Sequence, residues 1–179
     1  MQRIKLWDKE FEISYPFEEI QSAIKKMAAQ MKMDLEGKNP LFVCVLNGSF
    51  MFAADLMKEL EMNDVEISFL KLASYEGTAS TLEIKELIGV NENITGRTVV
   101  ILEDIVDTGH TIANVMAQIS QKGAMEVKIA TLLFKPEAMT AKIDLDYVGI
   151  EIPNDFIVGY GLDYDRRGRN LKDIYTLVK

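Results

Sequence analysis

Residues 99–111 read VVILEDIVDTGHT. Together with Thr98, the apolar run TVVIL is too short for a helix and rich in β-branched residues, so Thr98–Leu102 is predicted to be a fully buried strand ending in Glu103-Asp104. Two apolar residues follow, then Asp107-Thr108-Gly109-His110-Thr111, and from Ile112 to Gln121 the apolar residues Ile112, Val115, Met116 and Ile119 fall on one helical face. Gly123 is placed to close that helix. A buried strand is thus followed by a tight turn, with a glycine free to take positive φ, and then by a helix.

The same alternation extends to either side. Leu41–Leu46 (LFVCVL) is a second continuous apolar strand, followed by Asn47-Gly48-Ser49 and a helix over Phe50–Leu60 with Phe52, Ala53, Leu56 and Leu60 on one face. Val65–Leu72 and Val127–Phe134 read as further strands, the latter stopped by Lys135-Pro136. Strands apolar on both faces and separated by helices imply an α/β fold with a parallel sheet covered on both sides. The first twenty and last thirty residues fit this rhythm less well, and are expected to form a smaller subregion over the sheet. In open parallel sheets ligands bind beyond the carboxyl ends of the strands, which singles out Asn47-Gly48-Ser49, Ser74-Tyr75, Glu103 to Thr111, and Lys135.

Composition narrows the functional classes. The 179 residues carry 20 Lys+Arg against 28 Asp+Glu, a net charge of -8, with 48% hydrophobic residues, enough for one domain with a real core. The acidic balance disfavours a nucleic-acid backbone as partner. One cysteine, Cys44, excludes a disulfide framework, and one histidine, His110, excludes a multi-histidine metal site. No apolar run approaches the roughly 20 residues of a membrane-spanning helix, and the charged N-terminal segment has no secretory apolar core. A soluble, cytoplasmic protein with no membrane partner is expected.

The turn at 107–111 offers two hydroxyls, from Thr108 and Thr111, and the exposed N–H groups of a helix start, which together make a phosphate cradle. The neighbouring carboxylates of Glu103 and Asp104 would repel a bare phosphate unless Mg²⁺ or ligand hydroxyls intervene. Taken singly, Asp-Thr-Gly is a turn and two acids after a strand are a solvated strand end. On one strand-to-helix turn they point instead to a phosphorylated sugar carrying a metal.

These thirteen residues closely resemble the phosphoribosyl pyrophosphate (PRPP) signature of the type I phosphoribosyltransferases. LNGS at 46–49, SYEGT at 74–78, LLFKPEA at 132–138 and DFIVGYGLDY at 155–164, with Arg169 after it, resemble the hypoxanthine-guanine branch in the same order. The resemblance implies the type I phosphoribosyltransferase fold: a central, mostly parallel twisted sheet flanked by helices, with a small hood from the terminal segments. One domain over 1–179 follows, its core at about 20–150 and its hood at about 1–19 and 150–179. It also implies a Mg²⁺-dependent purine-salvage transferase and commonly a dimer or tetramer. The partners are PRPP and a 6-oxopurine base, hypoxanthine or guanine.

By the same resemblance, Asp107, Thr108, Gly109, His110 and Thr111 hold the 5′-phosphate, and Asp107 also lies under the purine as the catalytic residue. His110 contributes a main-chain N–H rather than catalysis. Glu103 and Asp104 meet the ribose hydroxyls directly or through Mg²⁺, and Asp163 is a ligand of a second Mg²⁺ beside the purine. Asn47, Gly48 and Arg169 face pyrophosphate across a loop that often carries a non-proline cis peptide. Asn47 replaces a lysine or arginine common in the family, shifting that task to backbone N–H groups, Mg²⁺ and Arg169. Lys135 donates to the purine 6-oxo group, Phe156 stacks on the base, and the main chain of Ile157 reads its edge. Ser74 and Tyr75 open a mobile loop. Without the resemblance, Lys135 reads as a snorkelling lysine and Phe156 as plain core. A PRPP-sensing regulator on the same fold is the alternative. A phosphoacceptor receiver domain fits poorly, because it needs its acidic pair after the first strand.

Overall fold

Two sheets share the chain. The computed structural model describes the backbone of residues 2–74 and 84–178. A six-stranded sheet is assembled from β3 (Leu41–Leu46), β4 (Glu66–Ser74), β5 (Ile84–Ile88), β6 (Thr98–Val106), β7 (Glu126–Phe134) and β8 (Tyr147–Glu151), in the order β5-β4-β3-β6-β7-β8. Pairings among β4, β3, β6, β7 and β8 are parallel, and β5 adds an antiparallel edge. The smaller sheet joins β1 (Arg3–Leu6) and β2 (Lys9–Tyr15) to β9 (Ile157–Val158) and β10 (Ile174–Leu177) in the antiparallel order β1-β2-β10-β9. This is the expected α/β architecture with a hood made from both ends of the chain.

The apolar strands are continuous because alternate residues serve opposite faces. Phe42, Cys44, Val100, Leu102, Ala130 and Leu132 meet helices α1 (Phe17–Leu35) and α2 (Phe50–Glu59), while Leu41, Val43, Val45, Val99, Ile101 and Ile129 meet α3 (His110–Gln121). Helix α1 was not among the expected elements, although its buried residues Ile20, Ile24, Met27, Ala28, Met31 and Leu35 keep strict helical spacing. It enters from the hood strand β2 rather than from a core strand, and Pro16 at its N-cap offers no side-chain acceptor. The Phe17 N–H is instead taken by Asp173 Oδ1 at 2.8 Å, from the residue preceding β10. Helix α3 starts two residues earlier than expected and is capped at Lys122, with Gly123 next at φ 90°.

Candidate active site

Strand β6 does not end at Leu102 as its apolar run suggested; it continues through Glu103 and Asp104 to Val106. The reason lies in its neighbours. β3 stays paired with β6 only as far as Cys44↔Leu102, whereas β7 accompanies β6 to Val106↔Phe134. The two carboxylates therefore sit within a strand, at the point where its pairing with β3 has stopped and β3 runs on to Leu46 and the loop Asn47–Ser49. That loop closes the gap. The Leu46–Asn47 peptide is cis, Asn47 is exposed, and a Cβ added at Gly48 would fall inside the Asp104 carboxylate. Ser49 Oγ donates to the Val45 carbonyl and lies 3.0 Å from Cys44 Sγ, which holds the far side of the loop.

Burial, aggravated by the adjacent Asp104 carboxylate, pushes the Glu103 carboxyl well above the usual range. Asp104 is 9% exposed and is likewise raised by burial, partly offset by a hydrogen bond with Glu103, the Ile105 N–H at 2.9 Å and the charge of Arg169. Glu103 Oε2 is buried with no hydrogen-bond partner among the described residues. Such a pair calls for a cation or hydroxyl donors.

Five residues after Asp104, Gly109 takes φ 82° and turns the chain into α3. A Cβ there would meet the Met139 thioether at 2.6 Å and Ala141 at 3.0 Å, so the turn is tight as well as left-handed. Thr108 O accepts from Thr140 N at 3.1 Å and Ala141 N at 3.0 Å, clamping the turn from outside. The Ala113 N–H returns to Gly109 O. The N–H groups before it have no earlier helical carbonyl to meet and lie at the turn's mouth. Thr108, His110 and Thr111 are exposed around it, and His110 Nε2 is 3.0 Å from Thr140 Oγ1. The cavity bounded by Glu103–Gly109, Thr111 and Ile112 measures about 160 Å³. A larger one, about 440 Å³, runs along the sheet edge between α1 and β8, away from all these groups.

Lys135 follows β7 and is 8% exposed, its ammonium 3.3 Å from Asp107 Oδ2 and 3.4 Å from Asn154 Oδ1. It does not snorkel. Phe156, by contrast, is 46% exposed and so is not core; Tyr164 meets it edge-on at 5.9 Å and Phe11 at 6.2 Å. Ile157 is buried in β9 opposite Thr176. Asp163 Oδ1 pairs with Arg169 Nη2 at 2.6 Å, and its Oδ2 accepts the Arg166 N–H at 2.6 Å. Arg169 Nη1 donates to Gly161 O at 2.7 Å, and Gly161 packs on the Gly48 carbonyl. Asn47, Gly48, Glu103, Asp104, Asp163 and Arg169 thus form one group, and Asp107, Lys135 and Asn154 a second. Ser74 ends β4; Tyr75 lies outside the described residues. Asn154 escaped the sequence reading, since between Pro153 and Asp155 it looks like an ordinary turn residue.

Residues 16–165 match the family described as the phosphoribosyl transferase domain. Two similar proteins are the hypoxanthine-guanine phosphoribosyltransferase of Streptococcus thermophilus, 44% identical over 92% of each chain, and that of Streptococcus pneumoniae, 45% identical over 89% of each. The chain belongs to the phosphoribosyltransferase family, on its hypoxanthine-guanine branch. Solved structures agree. A hypoxanthine phosphoribosyltransferase from Staphylococcus aureus superposes with a TM-score of 0.87 at 38% identity, covering 93% of this chain and 91% of that one. A hypoxanthine-guanine phosphoribosyltransferase from Bacillus anthracis gives 0.87 at 38%, covering 93% and 98%.

As a phosphoribosyltransferase the chain is expected to work with magnesium, and its residues suit that ion. Among the described residues no three His, Cys, Asp or Glu side chains converge into a cage. Mg²⁺ rarely needs one, since one or two carboxylates plus substrate phosphates and water suffice. Glu103, with its unpartnered oxygen, and Asp104 provide such a pair. Asp163 keeps lone pairs beyond those used by Arg169 and Arg166. Among the described residues no helix is long and apolar enough to cross a membrane.

Proposed function

We propose that this phosphoribosyltransferase moves the 5-phosphoribosyl group of PRPP to N9 of hypoxanthine or guanine, giving IMP or GMP and pyrophosphate in purine salvage. One observation carries the choice of base: the ammonium of Lys135 is buried and turned into the site. An ammonium has three N–H donors and no acceptor. Two point at Asp107 and Asn154, which leaves one for a purine 6-oxo group. The 6-amino group of adenine, itself a donor, would oppose it. Phe156 offers an exposed aromatic face on which the base can stack, with the backbone of Ile157 at its edge.

The turn from Asp107 to Thr111 receives the 5′-phosphate through its N–H groups and hydroxyls. Gly48 N–H and Arg169 receive the pyrophosphate; Asn47 lends no charge. Glu103 and Asp104 face the ribose hydroxyls and, with Asp163, are the carboxylates that would hold Mg²⁺. When bound, that ion neutralises charge on the leaving pyrophosphate. As the bond to C1′ loosens, positive charge gathers on the ribose, and the Asp107 carboxylate stabilises it from a fixed position. Asp107 is also placed to take the proton from the purine.

The test is direct. Purified protein with Mg²⁺, PRPP and each of hypoxanthine, guanine, xanthine and adenine is followed for nucleotide monophosphate. Product from the first two, and not from adenine, is expected; PRPP binding without product from any base would replace the enzyme by a sensor.

We also infer a cytoplasmic homo-oligomer, a dimer or tetramer. The lone, unpaired Cys44 suits a reducing compartment. An apolar strip supports self-association: Ile67 and Phe69 are exposed on β4, on the face shared by register with Phe42 and Cys44. Helix α2 covers β3 and β6 on that side.

A further inference from the structure

One buried polar network lies outside every role assigned above. Tyr160 is 1% exposed, and its hydroxyl donates to Asp55 Oδ2 at 2.5 Å. Gln21 Nε2 donates to the same oxygen at 2.8 Å and to the Tyr160 hydroxyl at 3.2 Å. Lys58 Nζ pairs with Asp55 Oδ1 at 2.7 Å. A position that needed only volume would be filled by phenylalanine. Here the hydroxyl is buried against a carboxylate, and it ties both α1 and α2 to the segment leading from β9 toward Asp163.

The backbone at this anchor is unusual. Gly159, Tyr160 and Gly161 take φ of 100°, 48° and 98°, and a bulky residue seldom enters the left-handed region unless its surroundings hold it there. Each flanking glycine is a close approach: a Cβ at Gly159 would strike the Asp173 carbonyl, and one at Gly161 the Gly48 carbonyl. Tyr160 N donates to Leu171 O at 2.8 Å and Gly161 N to Arg169 O at 3.0 Å. Whatever holds Tyr160 therefore holds Gly161. Gly161 is where the Arg169–Asp163 pair meets Gly48, which itself rests on Asp104.

We propose that Tyr160, held by Asp55 and Gln21, is a positioning residue for the pyrophosphate half of the site: it seats Gly161 on the Gly48 carbonyl and so sets the spacing between the Arg169–Asp163 pair and the Gly48–Asp104 pair. This rests on the transferase reading above. Tyr160 touches no substrate; it acts through Gly161.

Tyr160→Phe removes the hydroxyl and keeps the ring, while Asp55 retains Gln21 and Lys58. KM and calorimetric Kd for PRPP with Mg²⁺ should rise about tenfold, the effect of losing one charge-assisted hydrogen bond. KM for hypoxanthine should stay within about twofold. Asp55→Ala should reproduce this pattern, Asp55→Asn should restore PRPP affinity by offering the hydroxyl another acceptor, and the Tyr160→Phe/Asp55→Ala double variant should be no worse than either single. Unchanged PRPP affinity, an equal loss for both substrates tracking a fall in Tm, or multiplicative effects in the double variant would each overturn the proposal. Should Tyr160→Phe not fold, the Asp55 pair decides alone. A wild type that forms no nucleotide from any purine would overturn the transferase reading instead, and the PRPP Kd values of the same variants would still decide the positioning.

Discussion

Lys135 and Asp107 share one hydrogen bond and, in the proposed reaction, divide two tasks. The lysine, nearly buried and held by Asp107 and Asn154, is worth most as a selector, because a site built to meet one polar group rejects a substrate that cannot complete it. Lys135→Ala should therefore lower kcat/KM for hypoxanthine by about 10²-fold without a matching loss for adenine. A base preference that survives the change removes this role. Asp107→Asn keeps an acceptor for the ammonium and loses only the charge, so kcat should fall by about 10²-fold or more while PRPP affinity moves little. Steady-state kinetics beside PRPP calorimetry separates the two. At this scale the sequence was legible where a motif fixed the neighbours: Glu103, Asp107 and Gly109 lie along one strand-to-helix connection, as their spacing implied. It was not legible where burial decides meaning. Lys135 alone reads as snorkelling and Phe156 as core, yet the first is buried and the second half-exposed; Asn154 matters only because folding brings it to Lys135.

Strand and helix boundaries show a related limit. The apolar run of β6 stops at Leu102, but strand length is set by the partner, and β7 carries β6 on to Val106. The acids are therefore buried rather than solvated, which makes the loop beside them sensitive. Gly48→Ala would push Asp104 and the loop Asn47–Ser49 apart by the bulk of a methyl group. kcat/KM for PRPP should fall by about 10²-fold, as expected for a displacement of about 1 Å in a reacting geometry; an enzyme unaffected by the change would show the loop to be slack. Helix α1 was missed although its spacing is regular, because its start signal is absent locally. Pro16 cannot cap, and the acceptor comes from Asp173, 156 residues away. Asp173→Ala should destabilise the fold by about 1–2 kcal/mol and Asp173→Asn by less, measured by urea unfolding.

For the whole molecule, a net charge of -8 argued against nucleic acid yet said little about the small ligand, because the position of Glu103, Asp104, Asp107 and Asp163 outweighs the total. The parallel order of the core sheet was readable from apolar runs buried on both faces. The hood was readable only as a break in that rhythm, since its strands pair across the length of the chain. The exposed Ile67 and Phe69 belong to this scale too: Phe69→Lys should shift sedimentation equilibrium toward a smaller species, and a wild type that sediments as a monomer would remove the oligomer reading.

The hood sheet pairs β2 with β10, which the ribosome makes some 160 residues later; Ser14 Oγ meets Ile174 O across 160 residues. On a ribosome adding about 5–20 residues per second, β2 waits on the order of ten seconds with one edge open. For most of that wait α1 lacks its Asp173 cap, and Phe156, Asp163 and Arg169 are still to be made. On the proposed reading, activity therefore waits for the chain that follows β8. The core sheet, with Gly48, Glu103, Asp107 and Lys135, can assemble first, while Phe156, Asp163 and Arg169, which complete the proposed base and pyrophosphate pockets, follow only after β8.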